Sequence, residues 1–178
     1  MHWIFEYISV DIIISNKQGV RGFKYTALYV DKCTAEVFPY NMKAKSELLH
    51  TFQKLISEYG PERHPRCVHL RYLQRDSGSE SLSAEFKAFL QQNNIQLLTS
   101  SPYKHEQVLV ERYIGIVKNG LRTTMAYNNA PVGYWCYAME YYCETFNNLP
   151  RMNSYLFRNE LFYGTKPDIS KRVLPCDC

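Results

Sequence analysis

The sequence predicts an α/β domain in which helices cover both faces of a mixed five-stranded sheet. Three strand-like runs follow one another near the start of the chain with short connections, as in a three-stranded antiparallel meander. Strand-like and helical patterns then alternate, which predicts α/β crossovers and two parallel strands. Apolar residues make up 46% of the 178 residues, enough to build one core.

The meander is predicted from runs rich in β-branched and aromatic residues. These runs cover residues 3–15, 23–31 and 33–40. A turn signal that ends in Gly19 separates the first two runs. Residues 46–59 then carry apolar side chains at helical spacing up to Gly60, which predicts the first helix.

The remaining elements alternate between strand and helix. They are a fourth strand at 67–73, a helix from Ser81 or Ser83 to about Asn93, a fifth strand at 95–98, a loop from 99 to about 106, and helices at 106–128, 132–148 and 153–163. Either serine can cap the second helix, because its hydroxyl can accept a hydrogen bond from the first turn. The fourth strand would deliver Asp76 just beyond its end.

Length and charge set broad limits on function. We expect a single domain over residues 1–178, with a core of about 3–150 and a C-terminal extension of about 151–178. The net charge of +4 permits nucleic-acid binding without requiring it. No run approaches the roughly 18 apolar residues of a membrane helix, so no membrane association is expected. The scattered cysteines and the lack of a secretion signal favour reduced thiols.

Three acids are the candidate catalytic residues. Asp11 interrupts a β-branched run, although aspartate is a poor strand residue. Asp76 ends an apolar stretch, and Glu111 lies near the start of the long helical pattern. Taken singly, Asp11 could face solvent, Asp76 could cap a loop and Glu111 could be an ordinary surface residue. Together, two acids on strands and one on a helix can converge on divalent metal ions, which prefer oxygen ligands.

Several motifs around these acids resemble one known family. They are Tyr25-Thr26-Ala27-Leu28-Tyr29-Val30-Asp31, Arg75-Asp76-Ser77-Gly78-Ser79-Glu80, Ser101-Pro102-Tyr103, Val110-Glu111-Arg112, Phe146-Asn147-Asn148-Leu149-Pro150 and Gly164-Thr165-Lys166-Pro167-Asp168. Over nearly the whole chain, they resemble the Asp…Asp…Glu catalytic core of retroviral and retrotransposon integrases, with the strongest likeness to copia-type retrotransposons. The resemblance implies an RNase H-like fold and a metal-dependent enzyme that cuts phosphodiesters and transfers DNA strands during DNA integration.

By this resemblance, the cofactors are two Mg²⁺ or Mn²⁺ ions. Asp11 and Asp76 would share one ion, and Asp11 and Glu111 would hold the other. The partners would be the element's DNA ends and target DNA. The chain would act in the nucleus and in cytoplasmic virus-like particles if it belongs to an active element. The family's N-terminal zinc module and C-terminal basic domain have no counterpart in this sequence.

Candidate DNA contacts lie on the long helix and just before it. Glu111, Gly115, Lys118 and Arg122 fall on one helical stripe, with Arg112 beside it. Lysine and arginine there could bind phosphates, or they could simply form a solvated face. The resemblance adds Gln107 and Tyr103, which match the segment that contacts DNA ends.

A cluster of aromatic residues lies on the helix predicted at 132–148. Its members are Tyr134, Trp135, Tyr137, Tyr141 and Tyr142. Base stacking is one interpretation, but packing against the sheet or a second subunit is favoured. Family cores commonly dimerise through such helices, so we expect a homodimer.

The sequence departs from the family pattern near the third acid. Thirty-four residues separate Asp76 from Glu111, one fewer than is usual in retroviral members. Val108 replaces an expected glycine, and Ser77 an expected asparagine. These departures leave two alternatives open: a catalytically impaired retrotransposon remnant that keeps the fold and DNA binding, or another RNase H-like nuclease or transposase. If Glu111 is displaced, the other acids to consider are Asp31, Glu80 and Glu106.

Overall fold

The computed structural model describes residues 3–76, 82–100, 107–151, 154–166 and 168. Five strands form one mixed sheet in the order β3-β2-β1-β4-β5. The strands are Tyr7–Ile14 (β1), Tyr25–Asp31 (β2), Val37–Met42 (β3), Tyr72–Asp76 (β4) and Gln96–Ser100 (β5). The first three pair antiparallel, whereas β4 is parallel to both β1 and β5. The predicted meander with two parallel strands is therefore confirmed.

Helices cover both faces of this sheet. They are Leu48–Tyr59 (α1), Ala84–Gln92 (α2), Gln107–Tyr127 (α3), Trp135–Asn147 (α4) and Arg158–Tyr163 (α5). Side chains of α1 and α2 pack with one face of the sheet in the larger apolar cluster. Side chains of α3 and α4 pack with the opposite face in a second cluster. Within the described residues, no helix is both long and apolar enough to cross a membrane.

Alternation along β1 decides which face each of its side chains joins. Ile8 and Val10 belong to the cluster beneath α1 and α2. Ile13 belongs to the cluster beneath α3 and α4. By alternation, Ser9 and Asp11 therefore project from the same face as Ile13, towards the layer that contains α3.

Two strands begin later than the sequence predicted, and for one shared reason. The first strand starts at Tyr7 instead of residue 3, because residues 3–6 form a turn in which Phe5 has a φ of 67°. Its parallel partner β4 pairs from Tyr72, opposite Tyr7, so the fourth strand is not 67–73. Asp76 is consequently the last residue of β4, whereas the sequence predicted it just beyond the strand's end.

Smaller corrections concern other element ends. The third strand begins at Val37 instead of residue 33, because Asp31 accepts hydrogen bonds from both the backbone and the hydroxyl of Thr34 and holds a turn there. The fifth strand runs to Ser100 instead of residue 98. The last helix is limited to α5, since Ser154 to Phe157 are not helical.

The start of α2 decides between the two predicted caps. Ser83 accepts a hydrogen bond from the backbone N–H of Phe86 at 3.2 Å and is the N-cap. This bond satisfies one of the N–H groups that the first helical turn leaves without an intrahelical partner. Ser81 lies outside the described residues.

The outer edge of β3 is protected against further strand pairing. The Val37 backbone donates to the Asn147 side-chain oxygen at 3.0 Å and accepts from its amide nitrogen at 2.8 Å. Pro39, two residues on, has no N–H to offer on that edge. Asn147 thus ties α4 to the sheet, and together these residues limit edge-to-edge association.

Candidate active site

The pairing of β1 with β4 aligns the first two candidate acids. The parallel register pairs Ser9 with Gln74 and Val10 with Arg75. Continued by one position, it brings Asp11 beside Asp76, at the strand spacing of about 4.8 Å. Residues at the same level of neighbouring strands project from the same face, so both acids belong to the face that α3 covers.

The third acid belongs to that same layer. Ile114 on α3 and Ile13 on β1 share one buried cluster. Glu111 comes one helical turn before Ile114, and Asp11 comes two residues before Ile13. Packing between α3 and the sheet therefore holds Glu111 and Asp11 in one layer of the domain.

The acids of this site remain open to water. Glu111 is exposed and Asp11 is partly buried. One oxygen of Asp11, Oδ1, accepts the N–H of Ile12 at 2.7 Å, which restrains the carboxylate. Solvent access is what a site needs if a metal ion and a nucleic-acid strand are to reach its carboxylates.

The chemistry of these side chains fits a magnesium site. Mg²⁺ prefers hard oxygen ligands and is commonly held by one or two carboxylates together with water and substrate phosphates. The backbone register aligns two carboxylate-bearing residues, while the side chain of Asp76 lies outside the described part of the structure. Within the described part, no group of three or more His, Cys, Asp or Glu residues is arranged for a metal.

The predicted DNA contacts on α3 form an exposed stripe. Glu111, Gly115, Lys118 and Arg122 all face solvent, as does Arg112. A methyl group added at Gly115 would meet no other atom within 4 Å, so this stretch of helix is uncovered. Gln107 is the first residue of α3, and Tyr103 lies outside the described residues. The stripe is confirmed as a surface, and its binding to DNA stays a prediction.

Asp31 is a structural acid and not a reserve metal ligand. It is fully buried, and its carboxylate accepts hydrogen bonds from the backbone N–H groups of Phe5 and Thr34 and from the Thr34 hydroxyl. Burial raises the pKa of Asp31, while these hydrogen bonds oppose the rise. It pairs with Ile8, three positions from Asp11 and so about 10 Å along the strand. Glu80 and Glu106 lie outside the described residues.

A polar pair beneath the two acids was not anticipated. The Ser9 hydroxyl donates to the Gln74 side-chain oxygen at 3.0 Å, and both residues are buried. The signal was present in the sequence, because a polar residue stands two positions before Asp11 and another two positions before Asp76. Its meaning depends on the register, which neither strand reveals by itself.

The aromatic cluster divides into buried and exposed members. Trp135 is buried and donates from Nε1 to the Lys17 carbonyl at 3.0 Å. Tyr142 stacks on Phe146, with ring centroids 6.1 Å apart. The expected packing within the chain accounts for these two, whereas Tyr134 and Tyr137 stay exposed.

Comparisons with known proteins point to transposon polyproteins. The chain is 27% identical over 180 residues to the retrovirus-related Pol polyproteins from transposons RE2 and RE1 of Arabidopsis thaliana. Each alignment covers 97% of this chain but only 12% of the polyprotein. A third relative is the corresponding polyprotein from transposon TNT 1-94 of Nicotiana tabacum, 24% identical over 135 residues, 75% of this chain and 10% of that protein. No family model matches the chain.

Solved structures share the fold. The simian T-cell lymphotropic virus intasome, in complex with the PP2A regulatory subunit B56 gamma, matches with a TM-score of 0.70 and 22% identity over 91% of this chain and 55% of that one. The HTLV-2 integrase catalytic core domain, in complex with magnesium in a dimeric form, matches with a TM-score of 0.67 and 23% identity over 90% and 97%. The predicted resemblance is thus confirmed: the chain is related to copia-type transposon Pol polyproteins and has the RNase H-like fold of integrase catalytic cores.

Proposed function

We propose that this domain is the integrase catalytic core of a retrotransposon, a metal-dependent polynucleotidyl transferase that cuts and joins DNA. The observation that carries the proposal is the β1–β4 register, which aligns Asp11 with Asp76 on the sheet face that α3 covers. Kinship with transposon Pol polyproteins supports the assignment to this class of enzyme.

In this proposal Asp11, Asp76 and Glu111 are the metal ligands. Two Mg²⁺ or Mn²⁺ ions held there would polarise the phosphodiester and stabilise charge on the attacking and leaving oxygens. The protein's own contribution is geometric, because each strand delivers one carboxylate at a set level and α3 delivers the third. The hydrogen bond from Ile12 restrains Asp11, which reduces the reorganisation needed when a cation binds.

The exposed stripe of α3 would hold the DNA backbone. Lys118 lies about 10 Å along the helix axis from Glu111, and Arg122 about 6 Å further. Their positive charges can bind successive phosphates of a strand whose scissile bond lies at the acids. Arg112, Gln107 and Tyr103 are the further proposed contacts, and the substrates are the element's ends and target DNA.

A second candidate is a remnant that keeps the fold and DNA binding without catalysis. The observation in its favour is the segment between Asp76 and Glu111, which is one residue short and has Val108 in place of a glycine. Glycine would give that segment a backbone freedom that valine lacks. The same acids and the same stripe serve both candidates, so an activity assay must decide between them.

The test is disintegration, the reversal of strand transfer on a branched oligonucleotide, with Mn²⁺. We expect rejoined product from the wild-type chain and a loss of at least about a hundredfold in Asp11→Asn, Asp76→Asn and Glu111→Gln, because each removes a charged ligand. Glu85→Gln, an exposed carboxylate on α2, is the matched control and should keep full activity.

Each outcome of that assay has a definite meaning. Product that disappears in all three variants supports the catalytic core. A folded wild-type chain that binds branched DNA without converting it supports the remnant. Activity that survives loss of Asp11 contradicts both the ligand assignment and the proposed mechanism.

We further propose that the domain is a homodimer. Tyr134 and Tyr137 are exposed on and beside α4, with ring centroids 6.0 Å apart, and such aromatic area favours protein contacts. Multi-angle light scattering at working concentration should give twice the 21.0 kDa chain mass. A monomer across the accessible concentration range would contradict this proposal. The nucleus and cytoplasmic virus-like particles remain the proposed places of action.

A further inference from the structure

A ladder of side-chain pairs climbs the α3-covered face of β1 and β4. Tyr7 and Tyr72 form its lowest rung, with ring centroids 5.7 Å apart. Ser9 and Gln74 form the next rung, hydrogen-bonded at 3.0 Å. The level above, two residues further along both strands, is that of Asp11 and Asp76. The Ser9–Gln74 bond is therefore the cross-strand side-chain contact immediately beneath the two acids.

This rung is polar where packing alone would favour apolar residues. Ser9 is 0% exposed and Gln74 is 5% exposed. Burying a hydroxyl and an amide is unfavourable unless they bond, and a pair of apolar side chains would fill the same position without that requirement. What the polar pair adds is direction, because a hydrogen bond forms only within a narrow range of distance and angle.

Register matters most at this point in the sheet. A slip of one residue between β1 and β4 would turn one acid to the opposite face and separate it from the other. Apolar contacts tolerate small sliding movements, whereas the Ser9–Gln74 bond is lost on the same displacement. The bond thus selects the alignment in which the two carboxylates are neighbours.

We propose that Ser9 and Gln74 are positioning residues, which hold β1 and β4 in the register that makes Asp11 and Asp76 one cation-binding pair. The inference rests on the proposed function, because it assumes that these acids bind a divalent cation. Neither residue touches the substrate or the cation; each acts through the strand that carries the acid.

The sheet contains a matched control. The Thr26 hydroxyl donates to the Asn41 side-chain oxygen at 2.7 Å across β2 and β3, and these residues are also directly opposite in register. Thr26 is fully buried, as Ser9 is. Its strands carry none of the candidate ligands, so removing this bond should cost stability without affecting the acids.

The experiment measures Mn²⁺ binding, by the loss of the free-ion electron paramagnetic resonance signal, and thermal stability in parallel. The variants are Ser9→Ala, Gln74→Met, the double variant and Thr26→Val. We expect each single variant on the β1–β4 rung to weaken Mn²⁺ binding on the order of fivefold, and the double variant to be no weaker than the worse single one, since both remove one hydrogen bond. Thr26→Val should keep wild-type affinity despite a lower melting temperature.

Other results overturn the inference. Unchanged Mn²⁺ affinity in Ser9→Ala and Gln74→Met, or an equal loss in Thr26→Val, would reduce the rung to ordinary packing. A variant that is unfolded at the assay temperature counts the same way, and Gln74→Met is included because it preserves side-chain volume. Failure of the wild-type chain to bind Mn²⁺ through Asp11 is a separate result, which overturns the proposed function and this inference together.

Discussion

The two ends of the sheet both carry acids, yet they treat them in opposite ways. At one end, Asp11 is partly buried and Glu111 is exposed. At the other, Asp31 and Glu36 are 0% and 1% exposed. Water is thus available to the first pair and excluded from the second. A carboxylate that water can reach can also be reached by a cation or a phosphate, whereas a sealed one can act only within the fold.

The sealed end satisfies its acids internally. Asp31 has hydrogen-bond donors from Phe5 and Thr34. Glu36 lies against Asn159, with a carboxyl oxygen 2.5 Å from the Asn159 side-chain amide. Since the Asn159 nitrogen already donates to Asn148 at 2.6 Å, the atom facing Glu36 is an oxygen, and two oxygens this close share a proton. We therefore assign Glu36 the protonated form.

The electrostatics agree with a proton on Glu36. Burial, and then the nearby charge of Asp31, raises the pKa of Glu36 to about 9, although Arg158 opposes the rise. Arg158 is itself buried, and its guanidinium donates to the carbonyls of Phe146, Leu149 and Pro150. This cluster fastens the last turn of α4 and the start of α5 to the sheet. The difference between the ends is therefore one of role, with the acids structural at one end and chemical at the other.

The largest contrast should come from alanine at the two aspartates. Asp31→Ala should lower the free energy of unfolding by about 2–4 kcal/mol, because buried N–H donors of Phe5 and Thr34 lose their acceptor. Asp11→Ala should change it by less than about 1 kcal/mol, since the Ile12 N–H lies near solvent. Urea denaturation at neutral pH measures both. Similar losses in the two variants would remove the distinction between the two ends.

A smaller and pH-dependent effect is expected at Glu36. Its pKa is raised from 4.5 to about 9 on folding, so the folded chain keeps a proton that the unfolded chain releases. That contribution is fully present below pH 4.5 and is lost as pH rises towards about 9. Glu36→Gln, which is neutral at every pH, should flatten this slope and be the more stable protein at pH 8, by on the order of 2 kcal/mol.

Melting temperatures from pH 5 to 9 check the Glu36 prediction. Glu85→Gln serves as the control, because that carboxylate is exposed and should leave the profile unchanged. If wild type and Glu36→Gln kept parallel profiles, the protonated assignment of Glu36 would be wrong.

The smallest effect should come from the cations of the open end. Alanine at both Lys118 and Arg122 should weaken DNA binding severalfold at low salt and reduce the salt dependence of binding by about two ion releases. Fluorescence anisotropy over a salt series measures this slope. Lys87→Ala, an exposed lysine on α2, is the control. An unchanged slope in the double variant would mean that the stripe is only a solvated face.

Much of the architecture was predictable because it follows from local patterns. The β-branched runs around Asp11 and Tyr29, the helical spacing of residues 46–59 and the cap at Ser83 each depend on near neighbours in the chain. Strand starts were less predictable. The delay of β1 to Tyr7 follows from the turn at Phe5, whose N–H bonds to Asp31, a residue 26 positions away.

The candidate site divides along the same line. The identity and spacing of Asp11, Asp76 and Glu111 could be read from the sequence, as could the stripe that ends at Arg122. The rung beneath the acids could not, because Ser9 and Gln74 are 65 residues apart and meet only through the register of β1 with β4. Asp31 was suspected as a ligand for the converse reason, since nothing local distinguishes a buried carboxylate from an open one.

By itself, then, the sequence determined the order of strands and helices, the residue types of the site and the resemblance to integrase cores. Only the tertiary structure decided which acids stand side by side, which are sealed from water and which polar pair aligns the strands beneath Asp11. The reason is physical: periodicity and capping arise between residues a few positions apart. Register and burial arise from contacts between segments that folding brings together.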